Sequence, residues 1–211
     1  MKKRVLLFAF LTILAFTTTS FAAFTLEIKA DPQTAPSALF AGIVANYFGV
    51  DTKVVLDVRK QLTPIEVIGS FYLAGEEGTY LNHSQGEFKK GRGWAKMKNR
   101  GHIPPGQLKK MGRYPTGVSH ERVLFIRFME DCYRIPERKV VVWLGYGMSY
   151  DELILCANFA RRAQILPERV VELRRSGRDW DWLCRTWKVS KKELGSLATP
   201  YRYGKKIKVK K

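Results

Sequence analysis

The chain has 211 residues, of which 45% are hydrophobic, enough for one domain of ordinary size or two small ones. This hydrophobic content excludes a wholly disordered protein. The formal net charge is +18, which favours anionic partners such as nucleic acid, phospholipid surfaces or anionic envelope polymers.

Residues 1–22 have the layout of a secretory signal peptide. Residues 2–4 are all basic, residues 5–16 are apolar except for Thr12, and small residues precede a predicted cleavage site after Ala22. We therefore expect a periplasmic or secreted protein, with an uncleaved N-terminal anchor as the alternative. No later stretch approaches the roughly 18 apolar residues of a membrane-spanning helix, so no further span is expected.

The rest of the chain is predicted to contain two similar halves. A shift of 85 to 86 residues places Leu39, Ile43 and Val44 on Leu124, Phe128 and Met129. The same shift places residues 53–55 on 139–141 and residues 91–94 on 177–180. Ordered self-similarity of this kind is typical of a tandem duplication. We predict an N-terminal linker at 23–36, a first unit at 37–110, a second linker at 111–121, a second unit at 122–198 and a basic tail at 199–211.

Both units are predicted to be helical, which makes the fold class all-α. The apolar residues that open each unit recur on one helix face. Thr63, Ser149 and Ser190 are each followed three residues later by glutamate, the pattern of a capping box. A further helix is expected to start at Pro167 and to end before Gly177.

Three segments are ambiguous. Val54–Arg59 and Val140–Leu144 are rich in β-branched residues, yet helical neighbours on both sides favour short helices. Phe24–Lys29 alternates enough for a short edge strand. The chain from Tyr201 onward is predicted to be disordered or weakly extended.

Cys132, Cys156 and Cys184 are the only cysteines, and none belongs to a C-x-x-C pair. This arrangement favours buried apolar thiols and gives no indication of a metal site, although one disulfide stays open in an oxidising compartment. No cofactor is expected.

Both units contain G-R-x-W within a basic run, and this is the clearest candidate site. Arginine binds phosphate or carboxylate through a bidentate fork, and a nearby tryptophan offers a stacking surface. The alternative is structural, with glycine ending one helix and tryptophan anchoring the next. Together with the tail, the candidate anion-binding residues are Lys89, Lys90, Arg92, Lys96, Lys98, Arg100, Arg174, Arg175, Arg178, Arg185, Lys205, Lys206, Lys208, Lys210 and Lys211, with Trp94 and Trp180 as aromatic partners.

A resemblance to the tri-helical pattern of DNA-binding repressors and sigma-factor domains runs through Val170–Arg175, Trp180–Trp187, a Lys188-Val189 turn and a capped helix from Ser190. Asp179 and Asp181 would lie near phosphates, and an exported protein rarely meets DNA. Nucleic-acid binding is therefore an alternative function rather than the first expectation.

The inventory of catalytic motifs is thin. The chain has three histidines, none of them in H-E-x-x-H, and no P-loop or dinucleotide fingerprint. A lysozyme-like wall hydrolase would need a glutamate with a raised pKa, and Glu66 and Glu152 recur in both units. Capping explains both glutamates as well, so no catalytic residue is predicted.

The duplicated unit resembles repeats in uncharacterised exported bacterial proteins. Residues 48–50, 54–55, Arg59, Glu66 and 73–74 carry the resemblance in the first unit, together with the G-R-x-W residues. The resemblance implies a helical array in the bacterial envelope and carries no active site. The expected function is a non-enzymatic binding or scaffold protein for anionic envelope components or an acidic protein partner.

Overall fold

The computed structural model describes residues 34–99 and 119–210. The predicted signal peptide, the strand at 24–29, nearly all of the first linker and most of the second lie outside this part of the chain. The described helices are α1 (Thr34–Phe48), α2 (Thr52–Arg59), α3 (Pro64–Glu77), α4 (Leu81–Lys89), α5 (Gly93–Asn99), α6 (His120–Tyr133), α7 (Glu137–Leu144), α8 (Tyr150–Ala163), α9 (Pro167–Arg175), α10 (Trp180–Trp187) and α11 (Lys191–Leu194).

The predicted all-α class is confirmed. Over the described residues the regular elements are helices, and the only bridge between extended segments joins Tyr80 and Lys208. The two β-branched segments form α2 and α7, as predicted. Val55 and Val58 of α2, and Val140 and Trp143 of α7, face the core. Burial of one apolar stripe therefore outweighs the β-propensity of valine. None of the described helices is both long and apolar enough to cross a bilayer.

Helix α3 begins at a complete capping box. Thr63 accepts the backbone N–H of Glu66, and the Glu66 carboxylate accepts the backbone N–H of Thr63 at 2.8 Å. Ser190 and Glu193 form the same arrangement at α11. The expected box at Ser149 forms only in part, because the Glu152 carboxylate binds Arg174 instead of the cap residue.

Helices α1–α5, the first helix group, and α6–α10, the second helix group, follow one another in the same order. Left-handed residues end corresponding helices, with Gly49 and Arg134 after α1 and α6. Val55 of α2 and Val140 of α7 are both fully buried, so burial favours pairing these two valines, one residue away from the predicted pairing of Val54 with Val140. The extra residue lies in the α7–α8 loop.

The two helix groups share one core. Helix α1 packs against α8, and α6 packs against α3, so each contact between the groups has a counterpart. The first and third helices of each group are also joined by a tyrosine hydroxyl, from Tyr47 to Tyr72 and from Tyr133 to Asn158. The two helix groups are therefore packed together rather than joined by a hinge alone.

The chain after α11 is an extended segment with defined contacts, so of the two expectations for Tyr201 onward, disordered or weakly extended, the structure has the extended one. The Asn158 amide donates to the carbonyls of Leu194 and Ser196, which fixes the start of this segment on the second helix group. Tyr203 then packs edge-on against Phe48 and Tyr72 of the first helix group. Its backbone N–H donates to the Tyr47 carbonyl.

Ile207 is buried, and the Lys208 carbonyl accepts the Leu81 N–H at 2.9 Å. Gly75 leaves room for the Tyr203 ring, since a Cβ there would lie 2.4 Å from a ring carbon. The C-terminal segment therefore ties the two groups together through apolar and backbone contacts that a charge pattern does not reveal.

All three cysteines are buried free thiols. Burial raises the pKa of Cys132 to about 12, so the reactive thiolate form is suppressed at neutral pH. The cysteines therefore act as small apolar core residues, as the sequence favoured.

Candidate functional site

The two G-R-x-W turns have the same backbone. In the α4–α5 turn, Arg92 N–H donates to the Glu87 carbonyl at 2.8 Å, and Gly91 has a φ of 68°. In the α9–α10 turn, Arg178 N–H donates to the Leu173 carbonyl at 3.0 Å, and Gly177 has a φ of 85°. Glycine suits both positions because a left-handed backbone strains other residues. What distinguishes the turns is their side chains.

The first turn is closed by a buried carboxylate. Glu87 is only 6% exposed and pairs with Arg92 at 3.1 Å and Lys96 at 3.2 Å. Burial raises the pKa of Glu87, but the Lys96 hydrogen bond and the Arg92 charge outweigh burial, so the pKa is lowered. Trp94 packs edge-on against Phe88, with ring centroids 5.0 Å apart. Arg92, Lys96 and Trp94 are therefore all engaged in contacts within the protein.

The other candidate anion-binding residues of the first basic run do not form one group. Lys89 and Lys90 end α4 and are exposed. The side chain of Lys98 and the whole of Arg100 lie outside the described part of the chain. The structure therefore places no cluster of unpaired cations around Trp94 within residues 34–97.

In the second turn, Leu173 occupies the position of Glu87. Arg174 takes a structural role: it binds the Glu152 carboxylate at 2.7 Å and covers the Trp180 ring at 4.8 Å from the centroid. Trp180 is half-buried beside Phe159. Both tryptophans of the motif therefore pack within the fold, as the structural alternative expects.

Arg175 and Arg178 lie differently from Arg174. The Arg175 guanidinium covers the Tyr146 ring at 3.7 Å, and that of Arg178 covers the Trp182 ring at 4.9 Å. Both arginines are exposed, and over the described residues neither has a carboxylate within ion-pair distance. A guanidinium held flat on a ring keeps its N–H edges open, and those edges match the oxygens of phosphate or carboxylate.

Helix α10 adds two further exposed cations. Arg185 and Lys188 line a shallow groove between α10 and α11. Across this groove, Lys191 pairs with Asp181 at 2.6 Å and is thereby partly neutralised. We refer to Tyr146, Arg175, Arg178, Trp182, Arg185 and Lys188 as the basic–aromatic face.

The candidate residues of the tail are also divided. Lys205 pairs with Glu76 and thereby helps to fix Tyr203. Lys206, Lys208 and Lys210 are exposed, whereas Lys211 lies outside the described residues. The tail therefore combines a structural segment with three exposed cations.

The structure gives little support to a wall hydrolase, to a DNA-binding helix or to a metal site. Glu66 is used in a capping box and Glu152 in an ion pair with Arg174. The helix after the Lys188-Val189 turn, α11, has only four residues, whereas a recognition helix must reach along a DNA groove. Over residues 34–99 and 119–210, no three His, Cys, Asp or Glu side chains are placed to hold a metal ion.

The sequence did not indicate the two aromatic members of the face. Trp182 lies four residues after Arg178, a spacing that could have indicated the stacked pair. Tyr146 is 29 positions from Arg175 in the chain, and only the tertiary structure brings them together. Searches of family models, curated proteins and solved structures return no match to this chain.

Proposed function

We propose that this chain is an exported, non-enzymatic binding protein that contacts anionic envelope components through the basic–aromatic face. The observation that carries the proposal is the pair of exposed guanidiniums of Arg175 and Arg178, each held on an aromatic ring without a carboxylate partner. Fixing both groups in advance lowers the entropy lost when an anion binds.

We also propose that the fold arose by tandem duplication and that residues 1–22 direct export. The identical helix order and the equivalent turns at Gly91 and Gly177 support the duplication. The signal peptide rests on the sequence pattern alone. The resemblance to exported bacterial repeat proteins points to the same compartment.

Nucleic acid is the weaker candidate partner. Asp179 caps α10 by accepting the backbone N–H of Trp182 at 2.6 Å, and Asp181 lies in the first turn of the same helix. Both carboxylates would approach the phosphates of a duplex bound at this helix start. An anionic polymer or acidic protein that reaches only Arg175 and the open edge of Arg178 avoids this repulsion.

Binding to dextran sulfate over a series of salt concentrations tests the proposal. The Arg175→Gln/Arg178→Gln variant is expected to bind at least about tenfold more weakly, because two charge-assisted hydrogen-bonding groups are lost. Binding should also weaken as salt rises, since the contacts are electrostatic and exposed. Fluorescence anisotropy with labelled dextran sulfate measures both effects.

The matched control is Lys89→Gln/Lys90→Gln, which removes the same charge from the corresponding end of α4. A dedicated face predicts a change below about twofold for this control. Equal losses in the two variants would instead mean that overall charge governs binding. The tail is tested by Lys206→Gln/Lys210→Gln, since truncation at Tyr201 would also remove core contacts.

A further inference from the structure

Helix α7 exposes apolar side chains as well as burying them. Val140 and Trp143 are buried against the core, whereas Val141 and Val142 are 37% and 50% exposed. Arg138 shares the outer face with both valines, because helix positions i, i+3 and i+4 lie side by side. A helix of a water-exposed surface usually presents polar residues outward, so this outer face calls for a partner.

Two further apolar side chains lie beside this helix. Leu166, just before α9, is 70% exposed, and Tyr146, just after α7, is 42% exposed. Lys139 pairs with Glu168 at the starts of α7 and α9, and Arg175 covers Tyr146 at their ends. These two contacts tie the starts and the ends of the helices together, so Val141, Val142 and Tyr146, on and just after α7, and Leu166, just before α9, belong to the same pair of helices. We call these four residues the apolar ridge.

The first helix group lacks this feature. The residues of α2 that correspond to Val141 and Val142 are Leu56 and Asp57, and Asp57 pairs with Lys60 at 2.7 Å. Leu56 packs partly against the core. The apolar ridge is thus confined to the helix group that also carries the basic–aromatic face, and Tyr146 belongs to both.

The charges around the ridge favour an anionic surface. Arg138 and Arg175 are exposed and have no ion pair over the described residues. The acidic side chains facing the ridge are Glu137, at the start of α7, and Glu168 and Glu172 on α9. Lys139 neutralises Glu168, and Arg169 lies 3.7 Å from Glu172. Over the described residues, Glu137 is therefore the one of these three carboxylates without an ion pair, against two arginines without one.

We infer that the apolar ridge and its arginines dock the protein on an anionic phospholipid bilayer. This inference rests on the proposed function, since it names the partner of the same face. Leu166 is the most exposed of the four side chains and lies in the short loop before α9, and exposed apolar side chains can enter the interface between headgroups and acyl chains. Tyrosine suits the same depth, and arginines bind the phosphates above it.

A second copy of the chain is a less suitable occupant. A stable interface between copies buries about 800 Å² on each partner, and four protruding side chains of this size offer less than that. Self-association therefore enters only as an outcome of the test.

Co-sedimentation with vesicles tests the inference. The full chain is expected to bind vesicles of phosphatidylglycerol and phosphatidylcholine and to leave vesicles of phosphatidylcholine alone. Val142→Asp introduces the residue found at the corresponding position of α2, and Leu166→Ser removes the most exposed apolar side chain. Each substitution should weaken vesicle binding about tenfold while leaving dextran sulfate binding within about twofold.

The control is Val209→Asp, which changes the charge equally at another exposed valine on the C-terminal segment. Equal losses for Val142→Asp and Val209→Asp, or no binding to anionic vesicles, would overturn the inference. If dextran sulfate still binds, the proposed function survives that result; loss of both ligands would refute the two together. A ridge variant that alters sedimentation of the free protein, but not vesicle binding, would identify a self-association surface and also overturn the inference.

Discussion

The two G-R-x-W turns share a backbone and differ in one decisive side chain. At the α4–α5 turn, the Glu87 carboxylate binds the arginine of the motif, whereas Leu173 at the α9–α10 turn leaves Arg178 unpaired. The first turn is consequently part of the scaffold, and the second presents its cations to solvent. A shared motif therefore does not imply a shared role, because the residue beneath the arginine decides its partner.

The same contrast extends to the surroundings of each turn. The first helix group is covered by the C-terminal segment, with Tyr203 packed among its aromatic residues. The second helix group keeps exposed arginines and an apolar outer face on α7. Substitutions in the first helix group should therefore lower stability, whereas substitutions of the exposed arginines and apolar residues of the second helix group should weaken binding.

The largest expected effect is the loss of the fold at alkaline pH through Tyr47 and Tyr72 of the first helix group and Tyr203 of the C-terminal segment. Burial raises the pKa of Tyr47 to about 12 and raises those of Tyr72 and Tyr203 as well. A raised pKa in the folded state means that stability is complete below the unfolded value of about 10 and is lost above it. Circular dichroism and tyrosinate absorbance should change together between about pH 10 and about pH 12. Ionisation of these tyrosines without unfolding would contradict the packing described.

The next effect concerns the C-terminal segment. Tyr203→Ala should lower the free energy of unfolding by about 3 kcal/mol, since it empties an aromatic niche and removes a bonded hydroxyl. Tyr201→Ala, at an exposed ring that stacks on Arg134, should cost less than about 1 kcal/mol. Urea denaturation measures both values. Similar costs for the two tyrosines would mean that the segment is not anchored at Tyr203.

Substitution of Leu173, which corresponds to Glu87 of the first turn, tests the comparison of the two turns directly. Leu173→Glu should place a carboxylate beneath Arg178, as Glu87 lies beneath Arg92, and so weaken dextran sulfate binding by about threefold to tenfold. Leu173→Gln has nearly the same shape without the charge and serves as the control. If both variants bind equally well, the unpaired state of Arg178 does not govern binding.

The smallest expected effect is at the helix starts. Thr63→Ala breaks a complete capping box and should cost about 1 kcal/mol, whereas Ser149→Ala breaks a single cap and should cost about 0.5 kcal/mol. Thermal denaturation of the two variants, with Thr63→Ser as a control that keeps the hydroxyl, gives the ranking. A larger cost at Ser149 would show that the Glu152–Arg174 pair depends on that cap.

Much of the fold could be predicted because it is encoded locally. Apolar spacing and caps located most helices, including the two β-branched segments that became α2 and α7. The contacts that the C-terminal segment makes through Tyr203 and Ile207 were missed, because its basic composition does not indicate them. The candidate site was predicted only in outline. Arg175 and Arg178 were recognised as candidates. What distinguishes them from Arg92 and Arg174 is that the latter two pair with carboxylates outside the motif, Glu87 and Glu152.

The sequence by itself determined the helices, their caps and the positive charge, since these depend on neighbouring residues and on composition. Tertiary structure alone decided which cations remain unpaired and which apolar side chains face outward. The physical reason is that an ion pair or a buried stripe needs a partner brought close in space. Tyr146 on Arg175 and Tyr203 in the first helix group are such partners, and each comes from a distant part of the chain.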